Sequence, residues 1–467
     1  MALNPEWRRR IDMWTKAMPS MFFKPLGNIA FDGFVTKEQL TAEQALKGKF
    51  APMPNRTEWG GKWEYGWFKG SVRLPKEAAG ERIAMRVNVG GEAAIMINGM
   101  NFGANDIGHK EITLTRKAKG GETFDILVES YAGHGPRKEG GGPCPHGHEM
   151  VPEPPATQVK AGISAFGIWE EELFQLNYDM ETLFQLRDSM ADQESLRVAE
   201  IDDALMKATL IIDLELPRAE MLKTVRKGRE LLKPLLEKKN GPTSPRMTCF
   251  GHSHIDVAWL WPLQETERKC CRTFSSQLAL IEEYPEYKFL QSQPHLYQMV
   301  KTRYPALYQR IKKAVKSGHW IPDGGMWVEA DTNISGGESL IRQFIHGKRF
   351  FRDDTASRTS VGPSRPRPIL DTRARAGCRP SSRAAALQEG SGGATGRSRS
   401  DGSSGTCTRG CTAHGARRSL RHAQEVLHVT VRGPSPRAGR SAGAGTGTSA
   451  SHGTCARTST GTRLGTR

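Results

Sequence analysis

No stretch of this chain approaches the roughly 18 consecutive apolar residues that a membrane-spanning helix needs, so no membrane partner is expected. Cysteine is sparse: eight residues without framework spacing, two of them adjacent at Cys270 and Cys271. That pattern suits a reducing compartment, the cytoplasm, better than a disulfide-stapled exported fold. Arg8, Arg9 and Arg10 near the start are followed by no apolar core, so no secretory leader is read there. The most informative absence lies at the other end. Thr355 to Arg467 contains no Lys, Asn, Tyr, Trp, Phe or Met. Such a composition cannot bury enough apolar surface to offset chain entropy and predicts disorder.

The same segment explains the charge. Of the formal +17, most sits after residue 354, where 19 Arg face 4 acidic residues. Residues 1–354 carry 48 basic and 46 acidic side chains and are nearly neutral. An Arg-rich nucleic-acid tail is one reading of the segment. Its arginines are thinly spread, without interleaved aromatics or RGG repeats, so nucleic acid is not expected as a partner.

What is present falls into ordered blocks. Trp7, Trp14, Phe22 and Phe23 give residues 1–40 something to bury. From about Gly61 to Tyr131, short alternating runs such as Ile83, Met85, Val87 and Val89 read as strands. Asn98-Gly99 is a favoured hairpin turn, because both residues tolerate positive φ. These features predict a β-sandwich over 41–180. A Gly- and Pro-rich stretch holds Cys144, His146 and His148, whose spacing matches no common zinc pattern. Residues 181–245 turn helical, with Ile201, Leu205, Ala208 and Ile212 on one face, and form a connector. After it helix and strand alternate up to about residue 353, the order of a parallel sheet or barrel.

That last block is organised by Gly251-His-Ser-His-Ile-Asp-Val-Ala-Trp-Leu-Trp-Pro262, placed where a β-prone run ends and a helix begins. Active sites of α/β sheets sit at such strand ends. His254 and Asp256 are two apart and share a face if the strand continues. They form either half of a zinc site or a His hydrogen-bonded to a neighbouring Asp. Downstream, Gly324-Gly-Met-Trp-Val-Glu-Ala-Asp-Thr-Asn333 offers Glu329 and Asp331, a carboxylate pair of the kind glycoside hydrolysis requires and also of the kind that is merely solvated.

Three ordered motifs together resemble the family 38 glycoside hydrolases, the α-mannosidases, most nearly their cytosolic and bacterial branch. They are Gly251–Trp259, Tyr287-Lys-Phe-Leu-Gln-Ser-Gln-Pro294, and Gly324–Glu329 with Ser335-Gly-Gly-Glu-Ser-Leu-Ile-Arg-Gln343. The likeness covers about residues 40 to 352 and includes Glu58-Trp-Gly-Gly-Lys-Trp63 in the sandwich. It implies a retaining hydrolase of mannose-containing oligosaccharides with one zinc in a β/α-barrel-like domain. By that likeness His254 and Asp256 match the first two zinc ligands, and Trp259 matches the aromatic that stacks on the metal-held sugar. It also leaves room for a homo-oligomer in the intact family member.

The resemblance stops within a domain. The family continues into Trp-Leu-Pro-Asp-x-Phe-Gly-Tyr, whose Asp is nucleophile and third zinc ligand, and later supplies the general acid and a fourth ligand, a His. None of these motifs occurs here. The expectation is therefore a multidomain chain: segment 1–40, sandwich 41–180, helical connector 181–245, a truncated α/β, β/α-barrel-like catalytic domain at 246–353, and a disordered, out-of-frame tail at 354–467. Its zinc site is a half site, and its activity is impaired. Two alternatives stay open: another zinc hydrolase drawing a third ligand from His295, His319 or His346, and a non-catalytic carbohydrate-binding protein. A shifted frame predicts that one of the other two frames of the coding DNA, past codon 352, reads Trp-Leu-Pro-Asp. If neither does, the tail needs another origin.

Overall fold

The computed structural model describes residues 5–106, 108–135, 155–241, 244, 246–354 and 428–432. The Cys144, His146 and His148 stretch and nearly all of the tail lie outside the described residues, and the expectation of disorder there with them. The exception is His428–Arg432, a strand.

Two antiparallel sheets make the sandwich. One has four strands in the order Phe23–Ile29, Ser164–Trp169, Ile83–Arg86, Glu111–Thr115. The other has six: Ala51–Pro52, Asp32–Thr36, Tyr65–Arg73, Thr123–Tyr131, Glu92–Ile97, Met100–Asn105. Residues 1–40 thus contribute a strand to each sheet. Between the sheets lies a core that includes Phe68, Ile95, Val128, Ile83, Met85 and Phe166. Asn98 and Gly99 take φ of 50° and 79°, and Ile97 pairs directly with Met100. That is the two-residue turn whose twist matches its flanking strands.

Four helices pack as a bundle beside the sandwich: Pro5–Ala17, Glu171–Ser189, Leu196–Ile211 and Arg218–Leu236. Trp7, Ile11, Leu176, Leu205 and Val225 fill its core, and the stripe Ile201, Leu205, Ala208, Ile212 is buried. Arg218 donates to both oxygens of Glu81 on the sandwich, at 2.9 and 2.8 Å, and also pairs with Glu170. No described helix is long and apolar enough to cross a membrane.

The third unit corrects one expectation. Among the described residues its sheet is open and does not close into a barrel. Trp320–Pro322, Phe289–Gln291 and Arg246–His252 lie side by side in parallel, and His428–Arg432 adds to the far edge antiparallel. A barrel of this type needs about eight tilted strands to bring its edges together, and these four short ones cannot. The β-α alternation in the sequence specifies parallel strands with helices across them. It does not specify how many strands follow, and closure depends on that number. Two helices, Pro294–Arg303 and Pro305–Lys316, follow one another between the second and third parallel strands. Pro305 opens the second, where its missing N–H costs nothing.

The third unit is fastened to the sandwich through the helix Leu263–Glu283. Its Arg268, 1% exposed, donates from Nε to Glu129 at 2.6 Å and lies 3.7 Å over the Tyr65 ring. The Tyr65 hydroxyl donates to fully buried Glu265 at 2.9 Å, and Glu265 also accepts from Arg272. Burial pushes the Tyr65 phenol well above its usual range, with the Glu265 charge adding to it. Three-way contacts through Arg82 reach Thr113 in the sandwich, Glu171 in the bundle and Glu283 on this helix. The six-stranded sheet is therefore covered on both faces, which is why Glu92–Ile97 is buried almost throughout.

Removing one partner from a buried ion pair leaves the other charge stranded. Glu129→Ala is expected to cost on the order of 3–5 kcal/mol in urea unfolding. Glu58→Ala, which loses only the exposed pair with Lys160, is expected to cost less than about 1 kcal/mol. Equal effects would show that the Arg268 pair does not carry the junction.

Candidate functional site

The site forms at the carboxyl ends of the parallel strands, and each of the three sequence motifs supplies one wall. Gly251 begins the first. A Cβ there would lie 2.0 Å from the Tyr287 hydroxyl, so any larger residue would have to push the Tyr287 ring aside where the first two motifs meet. Two glutamines then lace the loops. Gln291 Nε2 donates to Ser253 O at 2.9 Å, and Gln293 Nε2 donates to Ile255 O at 3.0 Å. Gln293 Oε1 in turn accepts from Glu329 N at 3.2 Å. Both glutamines are buried, with their hydrogen bonds directed at backbone atoms that would otherwise go unsatisfied. The third wall turns at Gly324 and Gly325, at φ 137° and 103°, which bends the chain back over the sheet end. Gln343 Oε1 accepts from Val328 N at 2.8 Å and pins that wall to the helix Gly337–Asp353.

The strand ends at His252, so the shared face does not come from strand alternation, but the loop that follows brings His254 and Asp256 together, with His254 Nε2 3.0 Å from Asp256 Oδ1. The other ring nitrogen, Nδ1, faces Glu329 in a very short hydrogen bond. Glu329 also accepts from Ser292 Oγ at 2.6 Å and lies 3.6 Å from His252 Nε2. The Glu329 hydrogen bond raises the His254 imidazole above its ordinary 6.5, outweighing burial. Burial alone would raise the Glu329 carboxyl. Hydrogen bonds from His252, His254 and Ser292 outweigh it and hold the group well below the usual carboxylate range.

Trp259 stands at the rim, 52% exposed and 5.5 Å edge-to-face from Trp261. Thr266 shapes that loop: its hydroxyl accepts from Ala258 N at 3.0 Å and Trp261 Nε1 at 3.1 Å. From His254 and Trp261 a cleft of about 630 Å³ runs along the helix Leu263–Glu283 to the sandwich strand Glu111–Thr115.

Other candidates do not join. Asp331 is exposed and accepts from Asn333 N at 2.8 Å, capping its own turn. His319 precedes the strand Trp320–Pro322, at the opposite end of the parallel sheet, and bonds Ser317 and Pro285 O. His346 is exposed on its helix. His295 lies against Trp327 with ring centroids 5.2 Å apart and the planes tilted at 46°, and burial lowers its imidazole pKa. Among the described residues no group of three or more His, Cys, Asp and Glu is arranged to hold a metal. Sequence reasoning passed over His252 and Ser292. His252 keeps the same two-residue spacing before His254, so alternation alone could have marked it. Ser292 carried no such signal.

As metal donors, His254 Nε2 and Asp256 Oδ1 fit. Adjacent ligands of a tetrahedral zinc are about 3.3–3.6 Å apart, given bonds of about 2.0–2.2 Å, so the 3.0 Å pair would open by a few tenths of an ångström to take the metal. A carboxylate on the far nitrogen of a ligating His is the usual outer partner of zinc sites, since it fixes the tautomer. Two donors are half of a site.

The model of the glycosyl hydrolases family 38 N-terminal domain matches residues 244–362, and that of the α-mannosidase jelly roll domain matches residues 29–189. Alpha-mannosidase G of Dictyostelium discoideum is 31% identical over 329 residues, which is 68% of this chain and 29% of that protein. Human alpha-mannosidase 2C1 is 29% identical over 325 residues, 68% of this chain and 30% of that one. The alpha-mannosidase of Saccharomyces cerevisiae is 39% identical over 140 residues, 27% of this chain and 13% of that one. The chain thus spans less than a third of the length of these relatives. Solved β-glucuronidases from Ruminococcus gnavus align at a TM-score of 0.23 over 32% of the chain with 14% identity, too slight a likeness to bear on function.

The paired shifts set a pH signature. Because His254 is raised, its share of the pair's stability is complete below its ordinary 6.5 and is lost as pH rises through the raised value. Because Glu329 is lowered, its share is complete above its ordinary 4.5 and survives well into acid. In chelator-treated protein, Glu329→Gln should lower Tm most between the two ordinary values, 4.5 and 6.5, and progressively less as pH rises through the raised His254 value. A loss independent of pH would mean that the ion pair is not what Glu329 contributes.

Proposed function

Since residues 29–189 match the α-mannosidase jelly roll domain and residues 244–362 the family 38 N-terminal domain, the chain belongs to that glycoside hydrolase family, and we propose that the His254 end of the sheet is the zinc-and-sugar half of an α-mannosidase centre. The observation that carries this reading is the 3.0 Å approach of His254 Nε2 to Asp256 Oδ1, with Glu329 on the opposite ring nitrogen. In it His254 and Asp256 are metal ligands, Trp259 offers its exposed face to the sugar, and Glu329 is a positioning residue that holds the imidazole. Bound there, zinc supplies Lewis acidity and a fixed point for sugar hydroxyls. The substrates proposed are mannose-containing oligosaccharides. The cytoplasm is the proposed compartment, with which the free Cys249, Cys270 and Cys271 are compatible.

Retaining hydrolysis also uses two carboxylates about 5–5.5 Å apart, one a nucleophile and one an acid. The motif carboxylates described here are otherwise engaged: Asp256 with His254, Glu329 with His254 and Ser292, Asp331 with its own turn. The chain is therefore expected to retain zinc at clearly less than one equivalent after gel filtration and to leave an aryl α-mannoside unhydrolysed. His254→Ala should abolish the residual zinc, and Glu329→Gln should weaken it by about 10- to 100-fold. Stoichiometric zinc with turnover would show that the described residues omit ligands and catalysts that the chain possesses. Zinc retained equally by His254→Ala would move the metal elsewhere.

A further inference from the structure

Beside the His254 loop lies a second, shallower groove of about 620 Å³ whose walls come from two units. Trp259, Trp261 and Gln264 line it from the third unit, and Lys37 and Trp63 from the sandwich. Two of its edges are built on strained backbone. Trp63 sits at φ 67° and Ala258, just before Trp259, at φ 60°. Left-handed backbone is uncommon for any residue with a Cβ and is an outlier for one as bulky as tryptophan. Such strain persists only where surrounding structure over-determines it, and it clusters at ligand sites. At Trp63 the restraint is the backbone bond from its N–H to Gly133 O at 3.0 Å, and at Ala258 it is the bond to the Thr266 hydroxyl.

We infer that Trp63 of the sandwich, with Trp261 of the motif loop, forms a further sugar subsite beyond the stacking face of Trp259, which receives the residue next to the one held at His254 and Asp256. A pyranose ring presents a patch of C–H bonds on one face and hydroxyls around its edge. Indole rings match the first, and Lys37 and Gln264 can donate to the second. The sandwich thereby takes part in recognition and makes an oligosaccharide, not a single mannoside, the preferred ligand. This inference rests on the reading of His254 and Asp256 given above.

The experiment compares calorimetric affinities of the full chain, in excess zinc, for an α-linked mannotriose and for methyl α-mannoside. The trisaccharide is expected to bind about tenfold more tightly, the worth of one ring-stacking contact. Trp63→Gly removes the indole at a position whose φ suits glycine, so folding is not put at risk, and it should bring the ratio close to one. Trp63→Phe should restore most of the preference. A ratio near one in the unaltered chain, or one that Trp63→Gly leaves untouched, overturns the inference. His254→Ala separates the two readings. If it leaves methyl α-mannoside binding intact, the site proposed at His254 fails, while the Trp63-dependent ratio still decides the subsite. Binding of neither sugar by the unaltered chain would overturn both.

Discussion

The third unit depends on one constraint: three loops at the end of a short parallel sheet must satisfy one another's buried polar atoms. Glu329 is the centre of that arrangement. Taking a carboxylate out of water costs several kcal/mol unless it is paired and hydrogen-bonded. Here His254, Ser292 and the nearby His252 surround it. Gln291 and Gln293 close the remaining backbone gaps. A network of this kind is favourable only when complete. The three motifs therefore have to arrive together, and the His254 ring can take only the orientation that Glu329 allows.

A second buried network plays the same part between units. Arg268, Glu129, Tyr65, Glu265 and Arg272 form a chain of charge-assisted contacts on the outer face of the six-stranded sheet. Apolar packing alone would let the helix Leu263–Glu283 slide on that face. A desolvated guanidinium with one carboxylate to meet fixes its position. The helix follows directly on the Gly251–Pro262 loop, so where it docks determines where Trp259 and Trp261 stand relative to Trp63. The sandwich therefore does more than pack against the sheet, because it sets the outline of the groove.

Much of the fold was legible in the sequence because it is encoded within short windows. The alternation in Ile83–Val89, the Asn98-Gly99 turn and the stripe from Ile201 to Ile212 each reflect a period of two or 3.6 residues. The barrel expectation failed because alternation of strand and helix defines a neighbour relation and not a strand count. Nor did composition point to His428–Arg432 as a partner for Arg246–Phe250. Its alternating Val429 and Val431 are a strand signal within a segment otherwise read as unstructured.

For the site, the amino-acid sequence alone determined the order of the motifs and the pairing of His254 with Asp256. The two residues share one short loop that begins where the strand ends at His252, so their closeness is local in the chain. The tertiary structure decided the rest. It chose Glu329 over Asp331 as partner of the imidazole, brought in His252 and Ser292, sent His319 to the far end of the sheet, and placed Trp63 beside Trp259. These choices join residues up to about two hundred positions apart. Such contacts depend on how whole elements dock, and no local period in the sequence records that.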